Sequence, residues 1–84
     1  MKIYWSGESK NVIGARVRSL RQAQGWTQKH LAELLQLDGF DFTDLTVLRI
    51  ENGSRFVPDY EVRALAKTLR TSYAFLLDGA DGQG

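Results

Sequence analysis

The sequence predicts an all-α domain of five short helices. Three observations carry that reading. Apolar residues recur at helical spacing in several separate runs. Each run opens on a residue suited to start a helix, and most close on one suited to stop it. No run alternates as a strand would. At 84 residues the chain is one domain. A chain of this size buries only about 60–65% of the surface its unfolded form exposes, so short helices with local contacts suit it.

The elements follow in order. Asn11 is a good N-cap for a first helix. Ile13, Val17 and Leu20 make its buried stripe, with Arg16, Arg18 and Arg21 off that stripe, and Gly25 ends it in a left-handed conformation. Thr27 caps a second helix whose apolar face is Leu31, Ala32, Leu34 and Leu35, the small Ala32 admitting a close helix neighbour. The segment Asp38-Gly39-Phe40-Asp41-Phe42 is turn-rich and carries two aromatics that tuck back onto the domain. Asp41 or Thr43 caps a third helix, which runs to about Asn52 with Val47 and Ile50 inward, and Asn52-Gly53 stops it. Residues 54–58 are a loop. Pro58 or Asp59 starts a fourth helix with Val62, Leu65, Ala66 and Leu69 inward, and Ser72 caps a short fifth from Tyr73 to Leu77. The chain therefore reads as an N-terminal arm (1–10), a helical domain (11–78) and a frayed, flexible tail (79–84). In the arm, Ile3, Tyr4 and Trp5 form an apolar patch for the core or for a second subunit.

Composition narrows the function. The chain has no cysteine, which excludes disulfides and thiolate metal sites and makes the cytoplasm the simplest home. No apolar stretch approaches the roughly 18 residues of a membrane span, and the N-terminal apolar run is too short for a secretory signal. Net charge is only +1, but residues 1–37 carry +4 and residues 38–84 carry −3, so the basic half can face phosphates while the rest keeps the chain soluble. An enzyme is not expected. His30 is the only histidine, the serines lack a partnered His–Asp set, and the glycines are too scattered for a phosphate-binding loop. Asp59 and Glu61 stand at a helix start, where acids belong. Asp38, Asp41 and Asp44 are spaced by three, unlike a calcium loop, and read as caps and turn formers, so no metal, cofactor or small-molecule ligand is implied.

With the helices placed, several motifs stand in one order: Ile13, Arg16-Val17 and Leu20-Arg21; Gly25-Trp26-Thr27-Gln28 and Leu31-Ala32; Ile50-Glu51-Asn52-Gly53-Ser54-Arg55; Leu65-Ala66 and Leu69; Leu76-Leu77. Over roughly residues 11–78 the chain resembles the Cro/phage-repressor-like, or xenobiotic-response-element, helix-turn-helix family of bacterial transcriptional regulators. One departure is a turn between helices two and three about five residues longer than usual, Asp38 to Phe42.

The resemblance implies a compact lambda-repressor-like DNA-binding domain whose third helix, 43–52, lies in the major groove. It places Asp44, Leu45, Thr46 and Arg49 at base edges. It places Gln28, Lys29, Thr43, Asn52, Ser54 and Arg55 at phosphates, and pairs Arg21 with Glu51 as a structural ion pair. The chemistry agrees: Arg49 can fork two hydrogen bonds to guanine, Thr46 and Leu45 can meet a thymine methyl, and backbone N–H groups at helix starts and at Ser54 can hold phosphate oxygens. Asp44 can accept from cytosine, or simply stabilise the positive end of its helix. The implied partner is double-stranded DNA, bound by a homodimer on an inverted repeat, because one small domain covers little of the duplex. The dimer contact falls either on the arm or on residues 72–78. The alternative is a protein-interaction module of the same fold, an antitoxin or assembly factor, which the outward-facing Leu45 and Leu48 and the acids Asp38, Asp41 and Asp44 favour.

Overall fold

Short apolar runs, each bounded by its own start and stop chemistry, become five helices in a computed structural model that describes residues 9–79. They are α1 (Gly14–Ala23), α2 (Gln28–Leu37), α3 (Asp44–Glu51), α4 (Asp59–Leu69) and α5 (Tyr73–Asp78). No residue in the described range is in a strand. The apolar arm at Ile3, Tyr4 and Trp5 and the tail beyond Gly79 lie outside the described residues.

The helix starts follow local hydrogen-bond chemistry. Thr27 Oγ1 accepts from the His30 N–H at 3.0 Å, and Ser72 Oγ accepts from the Phe75 N–H at 3.0 Å. Of the two candidates before α3, Thr43 is the cap, and Thr46 answers it: Thr43 Oγ1 accepts from Thr46 N–H while Thr46 Oγ1 accepts from Thr43 N–H. At α1 the expected cap is displaced. Ile13 occupies the N-cap position, and Asn11 Oδ1 reaches forward to the N–H groups of Ile13 (3.1 Å) and Gly14 (2.8 Å). The Asn11 amide nitrogen donates to the carbonyls of Ile50 (3.1 Å) and Arg55 (2.8 Å). Asn11 thus starts α1 and ties it to the end of α3.

The stops share one geometry. After α1, Gly25 (φ +75°) turns the chain so that Trp26 N–H bonds back to the Arg21 carbonyl at 3.1 Å. After α3, Gly53 (φ +81°) does the same for Ser54 N–H and the Arg49 carbonyl at 2.9 Å. This closure satisfies carbonyls that a helix end would otherwise leave bare. After α4 the left-handed residue is Arg70 (φ 57°), with Thr71 N–H on the Ala66 carbonyl at 2.9 Å.

The core is one cluster drawn from all five helices and the long turn: Ile13, Val17, Leu31, Ala32, Leu35, Phe42, Val47, Ile50, Val62, Ala64, Leu65, Ala66, Leu69 and Leu76. Leu20 and Leu34, expected inside, are half-buried. Arg21, expected off the buried stripe of α1 by periodicity, is buried, because α3 crosses α1 there and supplies its counter-charge. The close approach of α1 and α3 requires Gly14: a Cβ at that position would lie 2.3 Å from the Ile50 carbonyl oxygen. The lengthened turn folds inward. Phe42 is buried in the core, while half-buried Phe40 meets Phe42 edge-on at 6.1 Å and stacks on Tyr60 at 6.4 Å.

Candidate nucleic-acid interface

α2 and α3, joined by the long turn, pack on each other through Leu31, Ala32 and Leu35 of one and Val47 and Ile50 of the other. That pairing turns the opposite edge of α3 outward. Asp44, Leu45, Leu48 and Arg49 are exposed and Thr46 is half-exposed. Arg49 is open to solvent, while Thr46 is partly covered by Thr43, to which it is hydrogen-bonded.

The Arg21–Glu51 pair holds α3 against α1. Arg21 Nε donates to Glu51 Oε2 at 2.6 Å and Nη2 to Oε1 at 3.0 Å, while Nη1 donates to the Trp26 carbonyl at 2.7 Å. The hydrogen bond to Glu51 raises the Arg21 pKa further, against the opposing effect of burial, and the negative charge of Glu51 adds to the rise. Its contribution to stability is therefore fully present below the ordinary arginine pKa and is lost only above it, beyond the pH range in which proteins are handled. Gln28 belongs to the same network: its amide nitrogen donates to Glu51 Oε1 at 3.1 Å. The resemblance implies a phosphate contact for Gln28, whereas this donor faces the ion pair.

The helix starts differ in what they leave open. In α2, Thr27 takes the third N–H of the first turn, and those of Gln28 and Lys29 are the donors that a helix start leaves without an intrahelical partner. The Lys29 side chain is exposed beside them. In α3 the positive end is answered from within. Asp44 Oδ1 accepts from the Leu45 N–H at 2.9 Å, and Thr43 accepts from Thr46. Asp44 thus stands at the first position of α3 with its carboxylate on a backbone N–H of the first turn. A shallow hollow lined by Lys29, Ala32, Glu33, Gln36, Thr43 and Asp44 separates the two starts.

The loop after α3 is closed on itself. Asn52 Oδ1 accepts from both Ser54 N–H (3.0 Å) and Ser54 Oγ (2.7 Å), and the same N–H also reaches the Arg49 carbonyl. The Ser54 N–H foreseen as a phosphate donor is thus engaged internally, since the helix stop uses it. Arg55 is engaged too. Its Nη1 donates to Glu61 Oε1 at 2.6 Å and its Nη2 to Glu61 Oε2 at 3.3 Å. Periodicity marked Glu61 only as an acid at a helix start, and its burial on α4 gave no local signal.

Among the described residues, no group of three or more His, Asp or Glu side chains is arranged to hold a metal ion. No helix there is long and apolar enough to cross a membrane. A family model described as a helix-turn-helix domain matches residues 12–74, most of the chain. No curated protein and no solved structure matches. The match spans α1 to α4 and the start of α5, so the α2–α3 pair and the helices that brace it fall within one recognised unit: the chain belongs to the helix-turn-helix domain family.

Proposed function

We propose that this chain is a sequence-specific regulator of transcription, a repressor, that reads double-stranded DNA by inserting α3 into the major groove. The observation that carries the reading is the uncovered outer edge of α3 with Arg49 exposed upon it. In this reading Arg49, Thr46 and Leu45 meet base edges, with Asp44 beside them at the helix start. Lys29, Thr43 and Asn52 stand around them for phosphates, helped by the open N–H groups at Gln28 and Lys29.

The active species is a homodimer on an inverted repeat. Its contact is an apolar groove between α4 and α5, lined by Val57, Tyr60, Val62, Tyr73 and Leu77, with Asp59 and Arg63 at its edges. A second copy fits the charge pattern. The exposed face of α4 begins with Asp59 and ends with Lys67 and Arg70, so two such helices running antiparallel oppose acid to base at both ends. The arm, the competing contact, lies outside the described residues.

Selection from a random duplex pool at two salt concentrations tests the function. Enrichment of an inverted repeat is expected. A pool that stays flat overturns the reading and favours the protein-interaction module, for which Leu45 (46% exposed) and Leu48 (41% exposed) are the supporting observation.

A further inference from the structure

We propose that Arg55 is a positioning residue, and that Arg55, Glu61 and Phe42 form a clamp that fixes the seating of α3 from both of its ends. The inference rests on the DNA-reading function proposed above. α3 has eight residues, too few to hold itself as a helix, so its placement is set by where its flanking segments are anchored. The segment before it is anchored by Phe42, 2% exposed, and the segment after it by Arg55.

These anchors meet. The Arg55 guanidinium carbon lies 5.6 Å from the Phe42 ring centroid, over its face. The two-point contact with Glu61 holds the guanidinium there, and Nη1 donates as well to the Phe56 carbonyl at 3.2 Å. Around this centre, the Arg55 carbonyl accepts from Asn11 and the Phe42 carbonyl accepts from Gln36 Nε2 at 2.5 Å. Phe40 stacks on Tyr60, the residue before Glu61. The long turn and the post-α3 loop therefore converge on the first turn of α4, away from the exposed edge of α3.

Glu61 is 7% exposed, so its charge depends on Arg55 for compensation. Three of the five guanidinium N–H groups are committed, two to this buried carboxylate and one to the Phe56 carbonyl, so the head group is oriented by the protein and keeps two donors, Nε–H and one Nη2–H. Arg55 thus acts on recognition through α3. Base readout depends on placement to within about 0.5 Å, whereas attraction to the phosphate backbone tolerates small shifts. Loosening the clamp should cost sequence preference before it costs general affinity.

The experiment measures binding of the Glu61→Gln and Phe42→Leu variants to a selected duplex and to a scrambled one across a salt series. Amide exchange of α3 is followed in the free protein. The expected result for both variants is faster α3 exchange, a fall of about tenfold in the ratio of the two affinities, and an unchanged salt slope. If Arg55 were instead a phosphate contact, Glu61→Gln would release it. Both duplexes would then bind more tightly and the slope would steepen by about one. That result, or α3 exchange and affinity ratio both unchanged, overturns the proposal. Should Glu61→Gln fail to fold, Phe42→Leu reads the same clamp without touching a charge. A wild-type protein with no duplex preference would defeat the regulatory reading alone, leaving α3 exchange to decide whether the clamp exists.

Discussion

Two arginines on or beside α3 do different work. Arg49 is exposed and can fork to a guanine; Arg21 is buried and already forked to Glu51. Arg49→Ala is expected to relax preference at one position of each half-site, a change of about 1–3 kcal/mol in discrimination, read by repeating the selection with the variant. An unchanged consensus would remove Arg49 from the groove. Glu51→Ala should act on the fold. It leaves the Arg21 charge buried and unpaired, a loss of about 3–5 kcal/mol. For a domain this small that lowers the melting temperature by about 12 °C or more in a thermal scan. Asp44→Asn separates two roles at one site. Because Asp44 bonds the Leu45 N–H, the neutral variant should keep some capping. Tighter binding to unrelated duplexes would show that the carboxylate also faces phosphates.

The helices are bounded by rules that act over a few residues, which is why their order could be read before any contact was known. Thr27, Thr43 and Ser72 start helices and Gly25 and Gly53 stop them, each through bonds no longer than five residues in sequence. Arg70 departs from this pattern: it adopts the left-handed conformation that a side chain disfavours. Arg70→Gly should therefore stabilise the domain, by roughly 0.5–1 kcal/mol in denaturant unfolding. Gly14 is the opposite case. Its position inside α1 gave no local reason for glycine, and the reason is the α3 carbonyls against it. Gly14→Ala should push α1 from α3 and cost about 1–3 kcal/mol, despite alanine's better helix propensity.

What the sequence concealed belongs to the whole molecule. Arg21 became buried and Gln28 turned to Glu51 because separate helices meet, Arg55 reached Glu61 because the loop after α3 folds back on the first turn of α4, and hydrophobic period carries no information about which charges will be brought together. Family motifs supplied the first of these pairs, since it recurs in the pattern; Arg55–Glu61 was not among them. Assembly is a property of the same scale. Leu77 lines the groove between α4 and α5 and keeps 43% of its surface exposed within one copy. Leu77→Asp should leave the unfolding free energy of the single copy within about 1 kcal/mol of its starting value. Sedimentation should then show a monomer, whereas a persistent dimer would move the contact elsewhere. Finally, Lys10 N–H bonds the Gly53 carbonyl at 2.6 Å, which brings the backbone into the domain alongside the loop that follows α3. Lys10→Pro, which lacks that N–H, would unfasten this loop from the segment that leads into α1.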